Sequence, residues 1–326
     1  ARQVAADDAP ESDAVVLDLL SRLLDKSLLK VESDGGSSRF SMLETVREYA
    51  LYVLAERGEA HAVQAAHAAW CIDFAERAEP ELAGPESAAW AARIEAELGN
   101  IRAALAWLEA GGHSEQALRL GGALGWFWSS GDRLAEGASI LDTLLSMPDV
   151  SRWPRARAKV QQAAGDVAQW QGNFDRAQDC FSTALQIYRE LDDQSGVIAT
   201  LRALGSVAID LGDLDGAERL LSEVLALAPQ SGDDWDSAAA ANLLAIIHFS
   251  QGRLGAAITL GERAVVAFQA LGDVGYASYA QISLARFALA AGDMARVCVA
   301  VQGAASQIPA DGADVLACSS LEVAAG

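Results

Sequence analysis

Apolar positions along the chain switch between two periods. Val15, Val16, Leu19, Leu20, Leu23 and Leu24 recur at helical spacing behind Ser12-Asp13, which predicts a helix ending near Lys26-Ser27. Leu28 to Glu32 and Arg39 to Leu43 read as strands around the turn-forming run Asp34-Gly35-Gly36-Ser37-Ser38. Glu44 opens a helix through Glu56, and Gly58 closes it. Val63, Ala66, Trp70, Ile72, Phe74 and Ala75 mark an amphipathic helix over 59–79 that Glu79-Pro80 ends. Pro85 begins a further helical segment, which Gly99-Asn100 is expected to interrupt and Gly111-Gly112 to terminate.

From residue 155 to about 306 the pattern repeats every 40 residues. Gly172, Gly212, Gly252 and Gly292 are in phase, as are the small residues Gly165, Gly205, Ala245 and Ala285. Phe174, Leu214, Leu254 and Met294 follow, then Ala177, Ala217 and Ala257. The small residue lets two helices approach closely. The glycine before Asn173, Asp213, Arg253 or Asp293 allows a left-handed turn between them. A similar unit precedes these, with Gly131-Asp132 between helices near 114–130 and 133–146. The spacing of small residue, turn glycine and helix-B alanine resembles the tetratricopeptide pattern. Six further residues, such as Leu191 to Gly196, are read as spacers between units. The fold class expected is all-α: a tetratricopeptide-like α-solenoid of 40-residue helix pairs, preceded by a partial winged helix with one small β-hairpin.

Stacked pairs bury a continuous apolar seam and curve around a concave face. Placing the concave positions of the tetratricopeptide pattern on this chain selects Lys159, Gln162, Asp166 and Gln169, then Arg202 with Ser206, Asn242 with Ile246, and Tyr279 with Ile282 and Arg286. Trp170 falls beside that groove, although core packing is the first expectation for any tryptophan here. In Trp126-Phe127-Trp128 one helix face must be core. Arg202 and Arg286 would favour a carboxylate or phosphate.

Charge and cysteine content narrow the function. The net charge is −21, which disfavours direct nucleic-acid binding, and residues 1–57 alone hold seven Lys/Arg against eleven Asp/Glu. Cys71, Cys180, Cys298 and Cys318 form no CxxC pair, so buried free thiols are expected. No uncharged apolar run of about 18 residues appears, and neither a membrane span nor a signal peptide is expected. Glycine-rich phosphate loops, HExxH and GxSxG are absent from the sequence, so no catalytic residues, no metal and no cofactor are assigned. The chain begins Ala1-Arg2-Gln3, without methionine, and reads as part of a longer protein.

Two stretches carry a more specific resemblance. Leu23-Leu24-Asp25-Lys26-Ser27-Leu28-Leu29 and Arg39-Phe40-Ser41-Met42-Leu43-Glu44-Thr45-Val46-Arg47-Glu48-Tyr49-Ala50 resemble the segment that follows the nucleotide-binding domain in bacterial signal-transducing ATPases with numerous domains, the STAND class. The resemblance continues through Glu95-Ala96-Glu97-Leu98-Gly99-Asn100-Ile101-Arg102-Ala103-Ala104-Leu105-Ala106-Trp107. It implies a winged-helix remnant over 1–57, a helical joint over 58–112 and a sensor array over 113–326, similar to maltotriose-responsive activators. It also implies a bacterial cytoplasmic regulator of transcription. Its groove would hold a peptide, protein or small-molecule effector, and its upstream nucleotide-binding domain would carry any ATPase activity. A constitutive protein-assembly scaffold is the alternative.

Overall fold

The computed structural model describes residues 13–307, apart from 35–36, 84–85 and 233. Ser12, the Gly35-Gly36 turn, Pro85, Cys318 and the tail after Gln307 therefore lie outside the described residues.

Helix α1 (Asp13–Asp25) leads into the antiparallel pair β1 (Leu29–Asp34) and β2 (Ser37–Met42), with Leu29 opposite Met42 and Glu32 opposite Arg39. Helix α2 (Glu44–Glu56) follows and ends at Gly58, whose φ is +70°. This is the helix–hairpin–helix order expected from the pattern. Arg39 Nη1 on β2 meets Glu97 Oε1 at 2.7 Å and so ties the hairpin to the helical joint.

The joint consists of α3 (Ala60–Ala78), a 3-10 turn (Glu79–Ala83) and α4 (Ser87–Ala110). Helix α4 runs unbroken through Gly99-Asn100, against expectation. A glycine inside a helix costs about 1 kcal/mol. The flanking Leu98 and Ile101 are buried, and each contributes roughly 1.5–3 kcal/mol only if the helical register is kept. Asn100 does not compete with the helix, because its Nδ2 donates to Glu97 Oε2.

Next come α5 (Ser114–Ala123), α6 (Gly125–Trp128) and α7 (Leu134–Ser146). The single helix expected near 114–130 is thus broken at Leu124. Gly125 sits against the following pair so closely that a Cβ there would lie 2.8 Å from Ala163 Cβ. Phe127 and Trp128 are core, while Trp126 is partly exposed. One apolar core joins α3 to the start of the array, with Ile94, Ile101, Leu118, Leu124 and Trp128 at its centre.

The array comprises four pairs: α8 (Pro154–Trp170) with α9 (Phe174–Glu190), α10 (Gln194–Asp210) with α11 (Leu214–Ser231), α12 (Asp234–Ser250) with α13 (Leu254–Leu271), and α14 (Val274–Ala290) with α15 (Met294–Gln307). The spacer reading is corrected here. Gln194, Ser195 and Gly196 already form the first turn of α10, and Val274 and Gly275 that of α14. In the first pair, helices of 17 residues alternate with three-residue turns. The extra length over a 34-residue unit therefore lies in longer helices, not in loops. The turns end in side-chain caps: Asp193 and Asp273 accept from the backbone N–H groups of Gly196 and Tyr276, as Asp213 does from Gly216.

Gly172, Gly212, Gly252 and Gly292 all take φ between +74° and +80°. Nothing lies within 4 Å of a Cβ built on Gly212, so conformation alone decides a substitution there. Gly212→Ala should lower stability by about 1 kcal/mol, read as a shift of the urea midpoint. An unchanged midpoint would refute the turn assignment.

The small-residue positions trade volume with their partners. A Cβ on Gly165 would lie 2.6 Å from the Phe181 ring, and one on Gly205 2.7 Å from Leu221. Where the inner residue becomes Ala245, the in-phase outer residue becomes Gly261. Gly165→Ala is expected to cost about 1–3 kcal/mol by overpacking, and Phe181→Leu in the same chain should relieve part of it. Additive effects in that double-mutant cycle would contradict the trade.

The first helices of successive pairs pack on one another, α10 on α12 and α12 on α14. The second helices reach across repeats mainly through exposed ion pairs, Arg189 to Glu223 and Arg296 to Glu262. Such pairs are worth little individually. The first helices accordingly form the inner layer. Among the outer ones, α13 is long and apolar enough by length and composition to cross a membrane, which was not expected; it carries Glu262 and Arg263.

Candidate functional site: the inner face of the array

The sequence places the candidate residues on the four inner helices, and the structure sorts them into distinct environments. Lys159 on α8 is held by Glu79 of the 3-10 turn. Gln162 accepts a long hydrogen bond from the Tyr188 hydroxyl, at 3.4 Å. Gln169 Nε2 donates to Ser206 Oγ at 2.9 Å and to Asp210 Oδ2 at 2.7 Å, bridging α8 and α10. Asn242 is buried, and its Oδ1 has no hydrogen-bond partner. Tyr279 is half-buried; burial pushes its hydroxyl up, the Arg286 charge opposes this and Asp210 adds to it. Arg286 is exposed, with its guanidinium carbon 6.0 Å from the Phe249 ring centroid. Trp170 is exposed at the end of α8, so the expectation of core packing does not hold for it.

Arg202 is the centre of the face. Its Nε donates to Asp236 Oδ1, and its guanidinium lies 5.0 Å from the Trp235 ring centroid. Burial alone would lower the Arg202 pKa, but Asp236, Tyr276 and Asp166 outweigh it and the guanidinium stays charged. Trp235 Nε1 donates in turn to Asp273 Oδ2 at 2.9 Å, and the Tyr276 ring packs edge-on against Trp235 with centroids 4.8 Å apart. The arginine read as a free anion site is therefore already engaged by a carboxylate.

Asp166 has the opposite status. It is half-buried on α8 beside Arg202, whose hydrogen bond goes to Asp236 instead. Burial pushes its carboxyl up from 3.8 to about 7, with Arg202 pulling the other way. The face thus sets a committed cation beside a half-buried acid.

Sequence reasoning missed Trp235, Asp236, Asp273 and Tyr276. The second and fourth share a signal that could have been used. Asp236 and Tyr276 lie in phase with Gly196, one helical step before the chosen positions on the same face. Extending the stripe towards each helix start would have included both. Asp273 looked like turn chemistry, and it serves as cap and tryptophan acceptor at once.

The cysteines do not enter this face. Cys71 is buried, and burial pushes its thiol up to about 12. Cys180 is half-buried, whereas Cys298 is exposed, contrary to the expectation of burial. The shallow depression lined by Ser182, Leu185, Gln186, Arg189 and Glu190 lies on α9 and holds none of the inner-face residues.

Comparison with known proteins agrees with this architecture. Residues 156–230 match the tetratricopeptide repeat family model. A protein of Mycobacterium tuberculosis named "Putative HTH-type transcriptional regulator" is 34% identical over 199 residues, covering 58% of this chain and 22% of the relative. A Mycobacterium bovis protein of the same description matches equally. The chain thus spans about a fifth of the length of these relatives. Among solved structures, the apo form of RapI superposes with a TM-score of 0.56 at 14% identity, covering 79% of this chain and 95% of RapI. BtubC from P. vanneervenii gives 0.51 at 18% identity, covering 67% and 89%. The helix pairs over 154–307, which include the matched residues 156–230, form a tetratricopeptide-like α-solenoid.

Proposed function

We propose that this chain is the non-catalytic sensing end of a STAND-type bacterial transcriptional regulator. A peptide, protein or small-molecule effector occupies the inner face, in contact with Lys159, Gln162, Asp166, Gln169, Trp170, Arg202, Asn242, Tyr279 and Arg286. The chain divides into a winged-helix remnant over 1–57, a joint over 58–112 and the array over 113–326. The Arg39–Glu97 pair supports a mechanical link between the first two. The regulator names of the mycobacterial relatives and the Asp25-Lys26-Ser27-Leu28 and Glu44-Thr45-Val46-Arg47-Glu48 segments support the assignment to a cytoplasmic regulator.

The observation that carries the reading is the partly unsatisfied polar character of the inner face. The Asn242 side-chain carbonyl lacks a hydrogen-bond partner, and burial pushes the half-buried Asp166 carboxyl up, where a packed scaffold would satisfy such groups or replace them with apolar side chains. An effector that satisfies those groups in one orientation of the array biases the regulator by its differential affinity for two states. Thermal-shift screening of this chain against sugars, short peptides and nucleotides tests the proposal. A shift abolished by Ala199→Trp, which plugs the inner face at the position in phase with Lys159 and Tyr279, is expected. Shifts indifferent to that plug would place binding elsewhere and sink the reading.

A further inference from the structure

We infer that the apolar end face of the array, on α14 and α15, is covered by this chain's own residues 314–326, packed there as the inner helix of a fifth pair. The inference goes beyond the effector reading and does not depend on it.

The end face is apolar at the positions that earlier pairs bury. Phe181 and Leu221 are fully buried and Gly261 is buried, whereas Val301, at the same phase of α15, is 52% exposed. Met294 is 57% exposed, although Phe174, Leu214 and Leu254 in phase with it are half-buried. Leu289 is exposed where Ile209 and Phe249 are half-buried. The earlier junctions show what covers this face. Phe181 and Leu204 share one core cluster, as do Leu221 and Leu244, and a Cβ on Gly261 would lie 3.4 Å from Leu284 Cδ1. In each case the covering leucine stands 23 residues on, in the inner helix of the following pair.

The residues after Gln307 lie outside the described ones, but their sequence keeps the 40-residue phase. Gly312 is in phase with Gly232 and Gly272, which both take φ +72° at a helix end. Asp314 is in phase with Asp234, the first residue of α12. Cys318, Ser320, Leu321, Ala324 and Ala325 fall on the five phases that are buried in α10, α12 and α14 alike, and all five are small or apolar. Glu322 falls instead on the inner-face phase of Arg202 and Asn242. Asp314 is only seven residues beyond Gln307, so the segment meets the face at an effective concentration on the order of millimolar. A second copy of the chain has no such advantage, which selects the tethered segment as the occupant.

The test uses the full chain with Cys298→Ala and Cys318→Ala, oxidised by diamide, with disulfides mapped by peptide mass spectrometry. Val301→Cys with Ala324→Cys reproduces the 23-residue relation of the earlier junctions, and an intramolecular disulfide should form. Val301→Cys with Glu322→Cys points the second thiol away from α15 and should link about tenfold more slowly or less. Equal rates for the two pairs would mean a segment without register on the face and would overturn the inference. Linkage between two chains would assign the face to a second copy and overturn it as well. Independently, Leu321→Asp should lower the melting temperature by several degrees, since it places a charge in the proposed contact. A melting temperature equal to wild type would leave the end face bare and count against the inference in the same way.

Discussion

Replacing Arg202 with alanine is expected to destabilise the array by about 3 kcal/mol or more. The cost arises from what stays behind. Asp236 is almost fully buried, and the substitution leaves it with its principal charge partner gone, while Trp235 loses the guanidinium that covers it. A buried ion pair adds little net stability, since desolvation of both groups offsets their attraction. Removal of one member leaves the desolvation of the other uncompensated. Arg202→Met with Asp236→Leu should therefore be far milder than Arg202→Ala alone. Urea unfolding followed by tryptophan fluorescence separates the two. A midpoint for Arg202→Ala within about 0.5 kcal/mol of wild type would mean that the pair is hydrated and that this picture of the inner face is wrong.

Asp166 predicts a large pH dependence of the opposite origin. Its folded carboxyl titrates at about 7 against 3.8 for the ordinary group, because burial penalises the charged form more than Arg202 rewards it. The folded chain then holds a proton that the unfolded chain has released. Stability is unaffected below pH 3.8, falls by up to about 1.4 kcal/mol per pH unit as pH rises towards 7, and levels off above that. The groups acting around this carboxyl are Arg202, itself paired with Asp236, and the hydroxyls of Tyr188 and Tyr276, whose own titration lies far above this window. Asp166→Asn should remove the slope and stabilise the protein at pH 8 by on the order of 3 kcal/mol. Parallel wild-type and variant pH profiles would show that Asp166 is solvated.

Much of the architecture could be read from the chain. Residues recurring at Gly172, Gly212, Gly252 and Gly292 mark turns because only a residue without Cβ adopts positive φ cheaply, and that constraint is local. The hairpin followed from two runs of strand-forming residues, now β1 and β2. Two local readings failed where tertiary burial overrode propensity. Gly99-Asn100 stayed helical because Leu98 and Ile101 needed the register. The residues taken as spacers joined the helices, since the aspartate caps at 193 and 273 start α10 and α14 earlier than the pattern implied.

The inner face was legible only in outline. Helical phase selected the side of each helix on which Asp166, Arg202 and Asn242 lie, because phase is fixed by 3.6 residues per turn. It could not show that Arg202 gives its hydrogen bond to Asp236, 34 residues on, and not to the neighbouring Asp166. That distinction depends on how far each repeat is rotated against the next, and the rotation is set by packing between repeats. One such control is the exchange of bulk between Gly165 and Phe181, or Gly205 and Leu221. The sequence by itself thus determined the repeat, its turns and its inner stripe, all products of near-neighbour sterics. Which charges on that stripe pair with one another was decided by the tertiary structure, because ion pairing across repeats depends on distances that no local pattern encodes.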